Sequence, residues 1–144
     1  MPVSYLLADA SHSNWFDKVE RNVFDHAIAQ SLLEAFLVDE RHHIWLAVED
    51  GVIVGFASAV DYIHPDKPRE LWINEVGVAP EWQGNGIAKR LLSLMFEHGR
   101  KLGCVEAWVL SEPDNVAANA LYRSFSSTED TKPTTALMHS FKLT

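Results

Sequence analysis

Glu75-Val76-Gly77-Val78-Ala79-Pro80-Glu81-Trp82-Gln83-Gly84-Asn85-Gly86-Ile87-Ala88-Lys89-Arg90 runs from an apolar strand, through a turn with two glycines, into a helix. Leu71 to Val78 supplies the strand. Ile87, Leu91, Leu94, Met95 and Leu102 recur at the spacing of one buried helical face. In the turn, Gly84 and Gly86 let backbone approach a ligand closely, because glycine has no side chain to intervene. The first N–H groups of the helix lack intrahelical partners and sit at the positive end of its dipole, which suits a pyrophosphate. Lys89 and Arg90 place cations where the dipole disfavours them, an arrangement that makes sense if an anion docks there. The spacing is neither a dinucleotide fingerprint nor a nucleotide-triphosphate loop, since the Gly-Lys-Ser/Thr ending is missing.

Outward from this stretch the chain alternates between strand and helix patterns. Val3 to Ala8 reads as a first strand, and residues 14 to about 40 read as two helices. Ile28, Leu32, Leu33, Phe36 and Leu37 supply a buried stripe there. Ile44 to Glu49 and Val52 to Ile63 flank Asp50-Gly51, a strong hairpin signal because both turn residues tolerate positive φ. Residues 64–68, with two prolines, read as a loop. Gly103 ends the central helix, Val105 to Leu110 is a strand, Asp114 to Phe125 a helix and Thr135 to Lys142 a last strand. No repeat or linker divides the chain, so residues 1–144 are expected to form a single mixed α/β domain.

Composition narrows the function classes. A net charge of −8 over 144 residues argues against a nucleic-acid partner, which calls for a basic stripe. The same charge suits a cationic ligand as well as plain solubility. The one cysteine, Cys104, rules out an intramolecular disulfide framework, and no apolar run approaches the ~18 residues of a membrane span. No signal peptide is legible at the start, so a cytoplasmic setting is expected, without membrane contact. The seven histidines form no zinc spacing, and no metal is expected.

Val78-Ala79-Pro80-Glu81-Trp82-Gln83-Gly84-Asn85-Gly86-Ile87-Ala88 resembles the acetyl-CoA signature of the GNAT superfamily of N-acetyltransferases. In that pattern a Gln or Arg precedes a Gly by three positions and a Gly or Ala by five, as Gln83, Gly86 and Ala88 do here. Asn115 and Tyr122, seven residues apart and so on one helix face, resemble the family's downstream Asn and Tyr. The family's Gly-Phe after that tyrosine is missing: the chain reads Tyr122-Arg123-Ser124-Phe125-Ser126. This departure puts the helix exit and the final strand in doubt.

The resemblance implies a GNAT fold: a mostly antiparallel, twisted sheet of six to seven strands with about four helices. It implies acetyl-CoA held by Val76, Gly77 and Val78, by the turn Gln83, Gly84, Asn85, Gly86, Ile87, Ala88 and Lys89, and by Asn115. The strand N–H groups would stabilise an oxyanion, and Tyr122 would protonate the departing thiolate. A homodimer is expected on the same ground.

Glu75 is the odd charge on an apolar strand, alternating on one face with Ile73 and Gly77. A buried carboxylate is costly, so it should face a cavity, a partner or a substrate. Either it binds or deprotonates an ammonium, directly or through water, or it pairs structurally, for example with Arg69. In aminoglycoside 3-N-acetyltransferases of the superfamily an acid occupies this position, which implies an aminoglycoside acceptor and a role in antibiotic resistance. Asp61 and Glu112 are further candidates for binding that acceptor. Two alternatives share these residues: acetylation of a protein N-terminus or lysine, and a non-catalytic CoA-binding module.

Overall fold

The Asp50-Gly51 turn behaves as its sequence demands. Asp50 has φ 51 and Gly51 φ 77, and they close a long antiparallel hairpin. The computed structural model describes residues 2–125 and 136–144. In order, it contains β1 (Ser4–Leu7), a 3₁₀ helix (Ala10–Asp17), α1 (Gln30–Val38), β2 (His42–Glu49), β3 (Val52–His64) and β4 (Lys67–Val78). A short 3₁₀ turn (Pro80–Trp82), α2 (Ile87–Lys101), β5 (Glu106–Trp108) and α3 (Val116–Arg123) follow. The chain divides into two compact units, Met1–Leu110 and Ser111–Thr144.

In the first unit the strands pair in the order β1-β2-β3-β4-β5, all antiparallel except the β4–β5 pair. The class is the expected mixed α/β, with five strands among the described residues where six to seven were expected. Thr135 lies outside the described residues, and residues 136–144 form no strand and are exposed.

The expected loop at 64–68 contracts to a turn. His64 pairs with Lys67, so β3 and β4 both extend past their predicted ends. The second expected helix in 14–40 is α1, whereas residues 18–29 are irregular. Their apolar spacing suits a helix, but the backbone is claimed by β3. Ile53 donates to the Lys18 carbonyl at 2.8 Å, and Glu20 donates to the Ile53 carbonyl at 2.9 Å. Asn22, at φ 62, then turns the chain in a conformation that asparagine tolerates better than most residues.

The sheet is covered on both faces. On one, Phe16, Val23 and Leu33 pack with Ile44, Leu46, Ile53 and Phe56. On the other, α2 buries Leu91, Leu92 and Met95 completely. Gly99 lets α2 come so near β4 that an added Cβ would lie 2.9 Å from Leu71 Cδ2.

Candidate active site

β4 is paired on both edges for only part of its length. β5 matches it from Glu70↔Glu106 to Trp72↔Trp108, and among the described residues no strand continues along that edge. The β3 side is paired to the end, with Phe56↔Gly77 and Gly55↔Val78 in register. Ala79 donates to the Val54 carbonyl at 2.9 Å, which makes Gly55–Val78 a non-hydrogen-bonded pair. By alternation, Gly77 exchanges bonds with β3, while the N–H and C=O groups of Val76 and Val78 point to the open edge. Gln83 Nε2 donates to the Val78 carbonyl at 3.0 Å, so that edge does accept polar partners.

A bulge sets the side chains. Ser58 pairs with Glu75 and Ala59 with Ile73, leaving Asn74 as the extra residue. The expected alternation of Glu75 with Ile73 is therefore corrected. Ile73, 1% exposed, faces α2, whereas Glu75 and Gly77 face the other side. Glu75 is exposed rather than buried. Gly77 is required for close approach: a Cβ there would lie 2.5 Å from the Val23 carbonyl oxygen and 2.8 Å from Phe56 Cε1.

The turn after β4 is shaped by Gly84 at φ 81 and Gly86 at φ 78, both with open space where a side chain would stand. Asn85 Nδ2 donates to the Trp82 carbonyl at 3.1 Å, so this side chain braces the turn. Trp82 in turn donates through Nε1 to Glu49 at 2.6 Å. Gly86 caps α2 without a side-chain hydrogen bond, and the first turn holds no acid. Ile87 is buried, so only its backbone is available to a ligand. This donor set, helix-start N–H groups with no acid in the first turn, fits a pyrophosphate.

Beside the open edge lies a cavity of about 340 Å³. Glu75 and Asp25 line it with the 76–78 backbone and Gln83, and Asn22, Val23 and Phe56 complete its wall. Partial desolvation against the cavity wall raises the Glu75 pKa, and the nearby Asp25 carboxylate, as charge and as hydrogen-bond partner, raises it further against a smaller opposing effect of His26. Phe24 stacks on Phe56 at 4.2 Å, anchoring the segment that carries Asp25.

Residues 7–126 match the pattern described as the Acetyltransferase (GNAT) family. The chain belongs to this family. It is 29% identical over 91 residues to an aminoglycoside N(6')-acetyltransferase type 1 of Salmonella typhimurium, covering 59% of this chain and 63% of that protein. It is also 36% identical over 88 residues to the N-alpha-acetyltransferase RimI of Mycobacterium tuberculosis, covering 61% and 53%. The chain thus spans less than two thirds of the length of these relatives. Among solved structures, an aminoglycoside acetyltransferase from an uncultured soil metagenomic sample superposes with a TM-score of 0.84 at 17% identity, covering 97% of each chain. The aminoglycoside relative carries a 6' designation, so the 3-N branch expected from Glu75 is not what the comparisons show.

Against this GNAT frame, Asp61 is corrected. It was expected to help bind the acceptor, but β3 runs through it and turns its side chain under α2, 2% exposed. Arg69 Nη1 donates to one carboxylate oxygen at 2.6 Å, and His43 Nε2 meets the other at 2.6 Å. Both oxygens are engaged, so Asp61 is not offered to a ligand. Arg69 pairs with Asp61, not with Glu75.

Asn115, Tyr122 and Glu112 belong to the second unit. Asn115 is the N-cap of α3, its Oδ1 accepting from Ala118 N at 3.1 Å. Glu112 is exposed, and its carbonyl accepts from Asn119 Nδ2 at 3.0 Å. Tyr122 is half-buried, and burial raises the pKa of its phenol. Lys89 lies exposed in the first turn of α2. No group of three or more His, Cys, Asp or Glu able to hold a metal occurs among the described residues, and no described helix is long and apolar enough to cross a membrane.

Asn22 and Asp25 were missed, because the helical reading of residues 14 to about 40 covered an irregular segment at 18–29. The available signal was Asn22 followed by Asp25-His26, polar residues ahead of the stripe that starts at Ile28.

Proposed function

We propose that this GNAT chain is an acetyl-CoA-dependent N-acetyltransferase for a small polycationic amine, with an aminoglycoside as the favoured acceptor. The observation that carries the reading is continuity. The open edge of β4 runs from the Gly84–Gly86 turn to a cavity holding two carboxylates.

Acetyl-CoA, when bound, supplies an acetyl group activated as a thioester. The backbone from Gly84 to Ala88 holds the pyrophosphate, with Lys89 as a nearby cation. Val76 and Val78 present N–H groups along the open edge, one of them to the acetyl carbonyl oxygen as negative charge grows on it. Glu75, ionised and backed by Asp25, attracts an ammonium and takes its proton. A carboxylate with a raised pKa is the better base of its kind, since its proton affinity approaches that of the amine. The family resemblance, not the geometry, assigns Tyr122 the proton for the leaving sulfur and Asn115 a part in binding the cofactor.

Two carboxylates in one cavity favour an acceptor with more than one positive charge, and the aminoglycoside N(6')-acetyltransferase relative supports the same class. The RimI relative supports a peptide N-terminus as the second reading. Thiol release from acetyl-CoA, measured with aminoglycosides, spermidine and short peptides, separates them. Glu75→Gln should lower kcat/KM for the amine by roughly 10²–10⁴ and leave the thermal stabilisation by CoA intact. Failure of every amine to raise thiol release would remove the enzyme reading, and preference for peptides would replace the acceptor.

A further inference from the structure

On the face of the sheet that carries Glu75, the row along β4 continues past the bulge to Trp72 and Glu70. Trp72 stacks with Trp108 of β5, ring centroids 5.8 Å apart and planes 20° from parallel. Trp108 Nε1 donates to the Tyr62 hydroxyl, which donates to Glu70 Oε1 at 3.0 Å. Three aromatic rings are thus held in fixed orientation by packing and hydrogen bonds, and all three remain half-exposed.

A second observation concerns charge. Glu70 stands directly opposite Glu106 across the β4–β5 pair. Like charges in that position cost stability, and no ion pair to either is formed among the described residues. An external cation would relieve the repulsion, and aromatic faces beside it would add cation–π attraction. Trp72 lies three residues from Glu75, roughly 10 Å along a strand.

We propose that Trp72, Trp108, Tyr62, Glu70 and Glu106 form a second acceptor subsite, stacking a saturated ring that bears ammonium groups while another amine of the same molecule lies at Glu75. The assignment rests on the acetyltransferase reading and narrows its acceptor to cyclic polyamines. Flat indole faces match the C–H face of such a ring, whereas a linear polyamine gains only the charge contact.

The test uses the whole chain with kanamycin as the cyclic probe and spermidine as the linear one. Trp72→Leu should raise KM for kanamycin about tenfold with kcat nearly unchanged, and Trp72→Phe should recover most of the loss. KM for spermidine should stay within about twofold of wild type, since it stacks on nothing. Glu106→Gln, at an exposed position, should weaken kanamycin binding and flatten its salt dependence. Quenching of tryptophan fluorescence by kanamycin, measured without acetyl-CoA, reads the subsite even if no amine is acetylated. Binding unchanged in both Trp72→Leu and Glu106→Gln would overturn the proposal, as would an equal loss for spermidine in Trp72→Leu. Absence of turnover with retained kanamycin quenching would instead count against the acetyltransferase reading alone.

Discussion

Asp61 and Glu75 are acids on neighbouring strands of one sheet, and the chain treats them in opposite ways. Asp61 faces α2, 2% exposed, with Arg69 and His43 each 2.6 Å from one of its oxygens. Glu75 faces the other side, exposed, with a second carboxylate as its neighbour. A carboxylate whose two oxygens are both held by neighbouring side chains serves the fold. One placed beside another carboxylate is poorly matched internally, and a cation from outside completes it. The comparison separates structural from functional acids better than their positions in the sequence do, since both lie on apolar strands.

Removing the matched acid should have the largest effect. Asp61→Ala leaves Arg69 and His43 without their partner under α2, and breaking such a buried network costs about 3–5 kcal/mol. Urea denaturation should show the loss as a lower midpoint at unchanged slope. A loss under about 1 kcal/mol would mean that the network contributes no more than a surface pair, and the contrast with Glu75 would disappear.

The framework was legible because local signals agreed with global needs. Asp50-Gly51 fixed one turn, the apolar face of residues 87–102 fixed α2, and the two glycines before it fixed where α2 begins. The face of Glu75 was reached by the wrong route. A bulge at Asn74 reverses the alternation, and bulges depend on pairing with β3, which one strand's sequence does not encode. The β3–β4 hairpin was read short for a related reason: its length is set by cross-strand pairs such as Tyr62 with Glu70, not by the prolines at 65 and 68. Asp25 escaped notice because its segment follows β3 and Gly77 rather than its own periodicity.

A smaller effect belongs to the outer end of the Asp61 network. His98 Nε2 lies 3.0 Å from His43 Nδ1, a contact with room for one proton. Burial lowers the His98 pKa, with His43 and Lys101 adding to the shift and Asp61 opposing it. A lowered pKa means that the folded state binds fewer protons than the unfolded one. The contribution is therefore complete above the unfolded value of about 6.5 and is lost as pH falls through the folded value. His98→Gln should flatten the stability profile on that acidic side, read from urea midpoints at successive pH values. An unchanged profile would move the acid sensitivity elsewhere.

The smallest effect should appear at Glu75 itself, and its sign is opposite. Here the folded pKa is raised, so the folded state holds its proton more tightly than the unfolded chain does. The associated stability is complete below the unfolded value of about 4.3 and is lost as pH rises through the folded value. At neutral pH the ionised Glu75 beside Asp25 is thus a net cost to the fold. Glu75→Gln should raise the urea midpoint at pH 7, by only a few tenths of a kcal/mol because solvent screens an exposed pair. The gain should vanish near pH 4. Asp25→Asn should behave alike, and the double variant should gain less than the sum, because both substitutions remove one repulsion. If Glu75→Gln instead destabilises the protein equally at both pH values, Glu75 is a structural partner like Asp61. If it stabilises the fold while acetyl transfer collapses, the repulsion persists because function requires both acids in that cavity.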